Sequence, residues 1–296
     1  MLTAYQASSP HAEEEAMNFD MGKAWSEATA KLSANFSLLA ILGGVFFFVP
    51  SLLMFVAMPD MMGALMSPNM DPSDMEAMMA NLGPTFFGAY LLILLASFVG
   101  YVAMIALLGD NTRVSVGEAI GIGFKALLPL LAIMIILAIA YFIIALLFGL
   151  VIGLLVAAVG QASTGAAAGL TFILVIAMLV GVLWVLTRLS MITPIIAIEG
   201  TMNPFAVLSR TWSLTKPAQG RLFLFYVVLF IAYIVIAVVL FMVIGLLAAA
   251  VGGTSVLGFV NGLIGAFVAM LFSAIFVAVY NQLAGSTATN IGATFE

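Results

Sequence analysis

Residues 191–221 read MITPIIAIEGTMNPFAVLSRTWSLTKPAQGR, a short polar run that separates two long apolar segments. Four of the eight Lys and Arg residues of the chain lie in or beside this stretch: Arg188, Arg210, Lys216 and Arg221. Weaker copies of the same pattern occur twice earlier in the chain. The sequence therefore predicts three copies of one unit, each a surface helix followed by two membrane spans.

The composition of the chain predicts a membrane protein. Of its 296 residues, 65% are hydrophobic and only 7% are charged, whereas about 25% of a soluble domain is charged. Several runs exceed the roughly 20 apolar residues that cross a bilayer core, and none alternates with the period of two of a membrane-barrel strand. We therefore predict an all-α polytopic membrane protein with six transmembrane helices, arranged as three parallel repeats of an interfacial helix plus two spans.

Charge and cysteine content exclude several functions. The formal net charge of −5 is spread thinly and leaves no basic patch for nucleic acid. The chain has no cysteine, which excludes disulfides, thiolate metal sites and cysteine nucleophiles. The N-terminus is polar and acidic, so we do not read it as a signal peptide.

Composition also divides the chain into three regions. Residues 1–16 are small, polar and acidic, and are predicted to be a disordered tail. Residues 17–284 are predicted to form one membrane domain, with repeats over about 17–108, 114–198 and 202–284, and 285–296 form a polar tail. Surface helices are expected near 17–35 and 117–125. The expected spans cover about 36–57, 85–108, 126–159, 169–190, 222–250 and 255–281.

The distribution of positive charge predicts the orientation. With six spans, all eight Lys and Arg residues fall on one side of the membrane, and the positive-inside rule makes that side cytoplasmic. Both termini are therefore expected in the cytoplasm. The long run 126–159 is read as one span, because dividing it would place Arg113 and Lys125 opposite the other cations.

Three short segments carry the internal repeat: FDMGKAWSEATAKL (19–32), VSVGEAIGIGFKAL (114–127) and NPFAVLSRTWSL (203–214). The first two share a Gly and an Ala two residues apart, and the third has Ala206 at the position that matches Ala24 and Ala119. The alternative is that unrelated interfacial helices resemble one another because interfaces select Ala, Leu and Lys.

A wider pattern resembles a known family. Residues 193–216, TPIIAIEGTMNPFAVLSRTWSLTK, resemble the hallmark stretch of the glycerophosphoryl diester phosphodiesterase membrane-domain family and the related YciC-like bacterial membrane proteins. In that pattern an apolar segment with Pro leads to Glu and then to a helix with Ala, Arg, Trp and Leu. The matching residues here are Pro194, Glu199, Ala206, Arg210, Thr211, Trp212, Leu214 and Thr215. FDMGKAWSEATAKLSANF and VYNQLAG resemble the family's first surface helix and its close.

The resemblance implies a bacterial integral protein of about six helices in the cytoplasmic (inner) membrane. Some relatives carry a phosphodiesterase domain, which would be a barrel of roughly 250 residues. This chain has no room for such a barrel, and its one histidine, His11, lies in the predicted tail. The resemblance therefore concerns the membrane part alone and implies no phosphodiesterase activity.

Four side chains are candidates for a structural or interfacial role, namely Arg188, Glu199, Arg210 and Trp212. Arg188 lies late in the fourth span, where an ionisable side chain is a functional candidate. The alternative is that Arg188 snorkels to the interface or forms an ion pair with Glu199.

The segment 203–215 is predicted to be an interfacial helix. Asn203 can cap its first turn, and Pro204 suits the first helical position. Phe205, Leu208 and Trp212 recur at three and four residues, so they share one face, and Trp prefers the headgroup level of a membrane.

Two further patterns have a functional and a structural interpretation. A Met-rich loop suits Cu(I) by its thioethers, but the same spacing is typical of an amphipathic lid, and no His or Cys lies nearby. Two GxxxG pairs indicate either dimerisation or close packing within one chain. The residues concerned are Met54, Met58, Met61, Met62, Met66, Met70, Met75, Met78 and Met79, then Gly149 with Gly153, and Gly258 with Gly262.

We find no catalytic set of residues in the sequence and predict no cofactor or metal site. The expected function is a non-enzymatic membrane module that acts as a scaffold, binds a partner or organises lipids. Its expected partners are membrane lipids and other membrane proteins. The alternative is a transporter or exporter of a lipid or hydrophobic small molecule. Ion-coupled transport usually needs a mid-membrane Asp, Glu or His, and the spans lack such a residue. Export of a lipid or hydrophobic molecule does not need one.

Overall fold

The computed structural model describes residues 19–57, 71, 73, 76, 83–109, 114–160, 163–251 and 254–294. The helices of these residues are numbered in chain order: α1 (Met21–Ala34), α2 (Phe36–Ala57), α3 (Pro84–Leu108), α4 (Val116–Gly160), α5 (Thr164–Leu189), α6 (Ile192–Glu199), α7 (Pro204–Thr215), α8 (Gln219–Val251) and α9 (Thr254–Thr294). The described residues contain no strand.

Six of these helices contain segments long and apolar enough to cross a membrane. The segments are Phe36–Ala57, Phe86–Leu108, Val116–Gly160, Gly165–Glu199, Gln219–Leu246 and Gly258–Gly285. A helix rises about 1.5 Å per residue, so even the shortest of them spans the roughly 30 Å core. The prediction of an all-α membrane protein with six spans is therefore confirmed.

Helix α1 begins where the sequence predicts a surface helix. The Asp20 carboxylate accepts a hydrogen bond from the backbone N–H of Lys23 at 2.8 Å, which satisfies one free donor of the first turn. Ala24, Ala28 and Leu32 face the protein and are buried. The helix ends at Asn35, whose side-chain amide donates to the carbonyl of Lys31.

Helix α2 contains a π-helical turn at Gly44–Phe48, immediately before Pro50. Proline has no N–H and cannot complete the regular ladder, and π turns accompany such irregularities. Phe46 in this turn packs closely on α3: a Cβ added at Gly100 would lie 2.4 Å from the Phe46 Cβ. Glycine at position 100 therefore permits α2 and α3 to approach each other.

Helix α4 corrects the prediction of a separate surface helix near 117–125. The structure has one helix of 45 residues from Val116 to Gly160, which passes through Pro129. Ser115 and Glu118 form a reciprocal capping box at its start, and no residue after them terminates the helix before the span. The prediction that the long third run is a single helix is confirmed.

The repeat stays a prediction, although the three segments share a burial pattern. Each buries small or aliphatic residues about one helical turn apart, but Ala206 is exposed and its neighbour Val207 is buried. The third segment therefore agrees with the alignment at Leu214, which is buried like Leu32, and differs from it at Ala206. The buried sets are Ala24, Ala28 and Leu32; Ala119, Gly123 and Ala126; and Val207, Thr211 and Leu214.

Two helical segments were not expected from the sequence. Helix α6 occupies Ile192–Glu199 and ends at Gly200, whose φ of 68° is the left-handed conformation that glycine adopts readily. Helix α9 continues to Thr294 through the predicted polar tail. Buried Ile195 and Ile196 make α6 part of the core.

The buried core lies mainly at one end of the bundle, which we call the basic end. It comprises α1, the start of α2, the end of α3, the start of α4, the end of α5, helices α6 and α7, the start of α8 and the end of α9. The seven cations of the described residues lie here: Lys23, Lys31, Lys125, Arg188, Arg210, Lys216 and Arg221.

Beyond the basic end, three long helices bury only Ala167 of α5 among their described residues. We call residues 134–160 of α4, 168–183 of α5 and 226–246 of α8 the outer segments. No residue in the outer segments is buried. In the apolar 18-residue parts of the spans in α3 and α9, by contrast, 44% and 56% of the residues are buried. The outer segments therefore present apolar surface that the described part of the chain does not cover.

Candidate functional site

Helix α7 begins as the sequence predicts. The Asn203 side-chain oxygen accepts hydrogen bonds from the N–H groups of Phe205 and Ala206 at 3.0 and 3.3 Å, and Pro204 occupies the first helical position. Phe205 and Trp212 face outward, and Leu208 is partly buried. Of the face predicted for the membrane interface, Phe205 is therefore the most exposed, whereas Leu208 packs against the core and Trp212 packs against Trp184.

A first polar cluster joins α6, α7 and α9. Arg210 donates from Nε to both carboxylate oxygens of Glu199, at 3.1 and 3.3 Å. The Tyr280 hydroxyl donates to the same carboxylate at 3.0 Å. The left-handed turn at Gly200 reverses the chain so that α6 and α7 can place these two side chains together. Glu199 is therefore the partner of Arg210, and the hypothesis that it pairs with Arg188 is wrong.

A second cluster surrounds Arg188. Its guanidinium carbon lies 4.6 Å from the ring centroid of Trp212 and 5.2 Å from that of Trp184, and Nη1 donates to the Trp212 carbonyl at 3.1 Å. Arg188 is only 7% exposed. It has no carboxylate within 4 Å in the described part of the chain, so it neither snorkels into solvent nor forms an ion pair.

Cation–π contact stabilises this arrangement. A guanidinium over indole faces contributes about 0.5–2 kcal/mol, the larger value applying where water is excluded. The two rings meet edge to face, with centroids 6.3 Å apart and planes at 77°, and Gln219 donates from Nε2 to the Trp184 carbonyl at 3.3 Å. The cluster therefore ties the end of α5 to α7 and to the start of α8.

The polar groups of these two clusters hydrogen-bond and pack with one another, which holds the helices together. The one carboxylate, Glu199, already accepts hydrogen bonds from Arg210 and Tyr280. Among the described residues, no group of three His, Cys, Asp or Glu side chains is placed to hold a metal ion. Three contributors were missed by sequence reasoning, namely Tyr280, Trp184 and Gln219. Tyr280 and Trp184 lie outside residues 191–221, and Gln219 lies within them but carries no charge.

A large cavity lies elsewhere, between α8 and α9. It has a volume of about 810 Å³ and an almost wholly apolar lining, which includes Leu229, Ala237 and Phe267. Trp25 of α1 lines it at the basic end, and Asn261 lines it at the far end. We call this cavity the α8–α9 groove. No local sequence pattern indicates this groove, because α8 is apolar on all sides.

A smaller cavity of about 350 Å³ lies between α5, α8 and α9. It shares Leu229, Tyr233 and Phe272 with the α8–α9 groove. The rings of Tyr233 and Phe272 pack edge to face, with centroids 6.3 Å apart. This aromatic pair therefore lies at the boundary between the two cavities.

The two GxxxG pairs have different environments. A Cβ at Gly258 would lie 2.4 Å from Phe55, and one at Gly262 would lie 3.0 Å from Phe48, so this pair packs within the chain against α2. Nothing lies within 4 Å of a Cβ at Gly149 or Gly153. In the Met-rich loop, Met58, Met61, Met62, Met66, Met70, Met75, Met78 and Met79 lie outside the described residues.

Comparison with known proteins does not add to this geometry. No family model matches the chain, and no curated protein or solved structure gives a significant match. The fold and the two polar clusters define a multi-pass helical membrane protein, and the argument for its function rests on its own residues.

Proposed function

We propose that this chain is a non-enzymatic membrane module that binds and organises lipids. The observation that supports the proposal is the α8–α9 groove, an apolar cavity of about 810 Å³ between two spans. Protein interiors are close-packed, and voids larger than a water molecule are few. A lipid chain is the material that a bilayer supplies to fill such a cavity.

The outer segments support the same proposal. They hold no charged residue and bury none of their side chains within the described chain. Contiguous apolar surface of this extent needs a cover, and lipid is the cover that the membrane provides. The polar clusters at the basic end hold the helix ends together, so the spans can separate beyond them without loss of the bundle.

The test is the lipid content of the purified protein. The chain is extracted in mild detergent, and its bound lipids are counted by native mass spectrometry and identified after extraction. We expect at least one phospholipid to stay bound through detergent exchange. A chain that emerges free of lipid, or with a stoichiometric protein partner in its place, would contradict the lipid-binding proposal.

An exporter of a lipid or hydrophobic small molecule is the second candidate. The groove follows α8 from Leu229 to Gly245, about 24 Å at 1.5 Å per residue, which is most of a roughly 30 Å bilayer core. The assay is movement of fluorescent phospholipid between leaflets of proteoliposomes. Movement no faster than in protein-free vesicles supports the binding module, and faster movement supports the exporter.

We also propose membership of the glycerophosphoryl diester phosphodiesterase membrane-domain family, in the cytoplasmic membrane of a bacterium, with both termini in the cytoplasm. The motif of residues 193–216 supports the family, and the basic residues at one end support the orientation. The chain has no native cysteine, so Ser73→Cys and Ser286→Cys can each be probed alone with an impermeant thiol reagent in intact cells. Labelling at position 73 but not at 286 is expected, and the reverse pattern would contradict the orientation.

A further inference from the structure

Arg221 lies on the groove side of α8 and has no ion-pair partner among the described residues. Arg221 and Ala232 are eleven residues apart, which places them within about 20° of each other around the helix at about 100° per residue. Ala232 and Leu229 line the α8–α9 groove. Arg221 is exposed, about 12 Å along the helix from Leu229. The groove face of α8 therefore carries a positive charge at its basic end.

No acidic side chain among the described residues forms an ion pair with Arg221. The one salt bridge between described residues joins Arg210 and Glu199. The acidic side chains of α1, the helix that borders the groove through Trp25, bind elsewhere: Asp20 accepts the Lys23 N–H at 2.8 Å and Glu27 accepts the Asn281 amide at 2.8 Å. An anion from outside the chain is thus a suitable partner for Arg221.

The lining of the groove and the charge beside it favour one occupant. The lining is almost wholly apolar and follows α8 for about 24 Å, which suits an acyl chain. A phospholipid also carries a phosphate at the end of its acyl chains, and this charge is complementary to Arg221 at the basic end of the groove.

We propose that the α8–α9 groove binds an anionic phospholipid, with acyl chain along the groove and phosphate at Arg221. This inference rests on the proposed lipid-binding function and names the lipid class and the site. Trp25, which lines the groove at the basic end, lies where an indole prefers to be, at the level of the headgroups. Arginine suits a phosphate because its planar fork of donors matches the phosphate oxygens.

The experiment uses spin-labelled phospholipids in phosphatidylcholine vesicles that contain the full chain. Phosphatidylglycerol and phosphatidylcholine probes carry the same nitroxide on the acyl chain, and electron paramagnetic resonance measures the immobilised fraction of each. We expect the phosphatidylglycerol probe to be immobilised several-fold more strongly. Equal immobilisation of the two probes by the wild-type chain would overturn the proposal.

Two site variants, each with a control on α4, assign the signal to the site. Arg221→Gln should reduce the preference for phosphatidylglycerol to nearly none, whereas its control Lys125→Gln should leave the preference unchanged. Arg221→Lys, which keeps the charge, should retain part of the preference. Ala237→Trp fills the groove and should reduce the immobilised fraction of both probes, whereas its control Ala140→Trp, on an exposed face of α4, should not. An equal effect of a site variant and its control would overturn the assignment.

A gentler replacement guards against misfolded variants. Benzoylphenylalanine in place of Phe241, which lines the groove, should cross-link phosphatidylglycerol more than phosphatidylcholine. The same replacement at exposed Phe142 of α4 should cross-link both alike. If the purified chain retains lipid but position 241 shows no preference, this inference fails and the proposed function stands. If the chain retains no lipid, the proposed function itself fails.

Discussion

The basic end and the outer segments are built from the same residue types but pack differently. On α4 alone, Ile133 is 2% exposed and Ile144 is 62% exposed, three turns further along the same helix. On α8, Leu222 is buried and Leu246 is exposed. Hydrophobicity therefore does not decide which part of a span contacts other helices.

Polar contacts between helices distinguish the two regions. At the basic end, Lys31 donates to the carbonyl of Leu108, Tyr280 to Glu199 and Gln219 to the carbonyl of Trp184. Lipid tails are as apolar as leucine, so spans associate through close packing and interhelical hydrogen bonds rather than through the hydrophobic effect. The outer segments have few polar groups and make few such contacts, which explains why they separate.

The largest effect is expected from truncating an isoleucine at the basic end. Ile133→Ala should lower the free energy of unfolding by about 2–5 kcal/mol, because it leaves a cavity among packed neighbours. The measurement is equilibrium unfolding in mixed micelles. Ile144→Ala on the same helix is the control and should change stability by no more than about 0.5 kcal/mol. Equal losses of unfolding free energy in the two variants would show that Ile144 is buried by another molecule. The outer segments would then not differ from the basic end in burial.

Replacing glycine by alanine should destabilise the protein at the basic end and should be neutral or stabilising in an outer segment. A Cβ at Gly123 would lie 2.5 Å from the carbonyl oxygen of Val99, so Gly123→Ala should cost about 1–3 kcal/mol through forced separation of α3 and α4. Gly149→Ala meets nothing within 4 Å and should be neutral or stabilise the helix by up to about 1 kcal/mol. The midpoint of thermal unfolding in detergent measures both. A large loss from Gly149→Ala would instead indicate a close helix partner at that face.

Within the basic end, the tryptophan cluster should matter more than the exposed ion pair. Trp212→Ala removes one of the two rings that cover the Arg188 guanidinium and should cost about 1–2 kcal/mol. Arg210→Ala removes a partly exposed ion pair and should cost about 1 kcal/mol or less, because Tyr280 still donates to Glu199. Unfolding of both variants in the same detergent gives the order. A larger loss from Arg210→Ala would identify Arg210 as the more important anchor.

A single hydroxyl should have an effect as small as that of the Arg210 ion pair. Tyr280→Phe deletes the donor to Glu199 and should cost about 1 kcal/mol, the usual net value of one hydrogen bond. Tyr141→Phe, in an outer segment, is the control and should leave stability unchanged, since Tyr141 is exposed and forms no hydrogen bond with described residues. Chemical denaturation with both variants in parallel tests the difference. Equal stability of the Tyr280→Phe and Tyr141→Phe variants would show that the Tyr280 hydroxyl does not stabilise the Glu199 cluster.

Local signals in the sequence predicted the helix starts and the number of spans. Asp20, Asn203 and Pro204 act within one turn of their own positions, so they can be recognised without the fold. Helix α6 was missed because Thr193 and Pro194 interrupt the apolar run, and such an interruption is typical of the start of a loop. The fusion of the second surface helix with α4 was missed because the repeat suggested a break that no residue between Val116 and Pro129 provides.

The candidate site could be predicted only in part. Arg188, Glu199, Arg210 and Trp212 were recognised as candidates because charges and Trp are rare in this chain. Their pairing depends on the left-handed turn at Gly200, which brings α6 and α7 together and gives Glu199 to Arg210. The α8–α9 groove depends on the separation of two spans, which no local pattern specifies.

The accessibility of α8 to oxygen inside the bilayer tests the central contrast most directly. A nitroxide is placed in turn at each position from Leu222 to Leu246, and power saturation measures its collisions with oxygen in lipid vesicles. We expect low accessibility at Leu222 and Phe225, and high accessibility from Val228 onward at nearly every position, with a modest reduction at those that face the groove. Strong protection every three to four residues out to Leu246 would show that protein covers the outer segment, and would contradict the account.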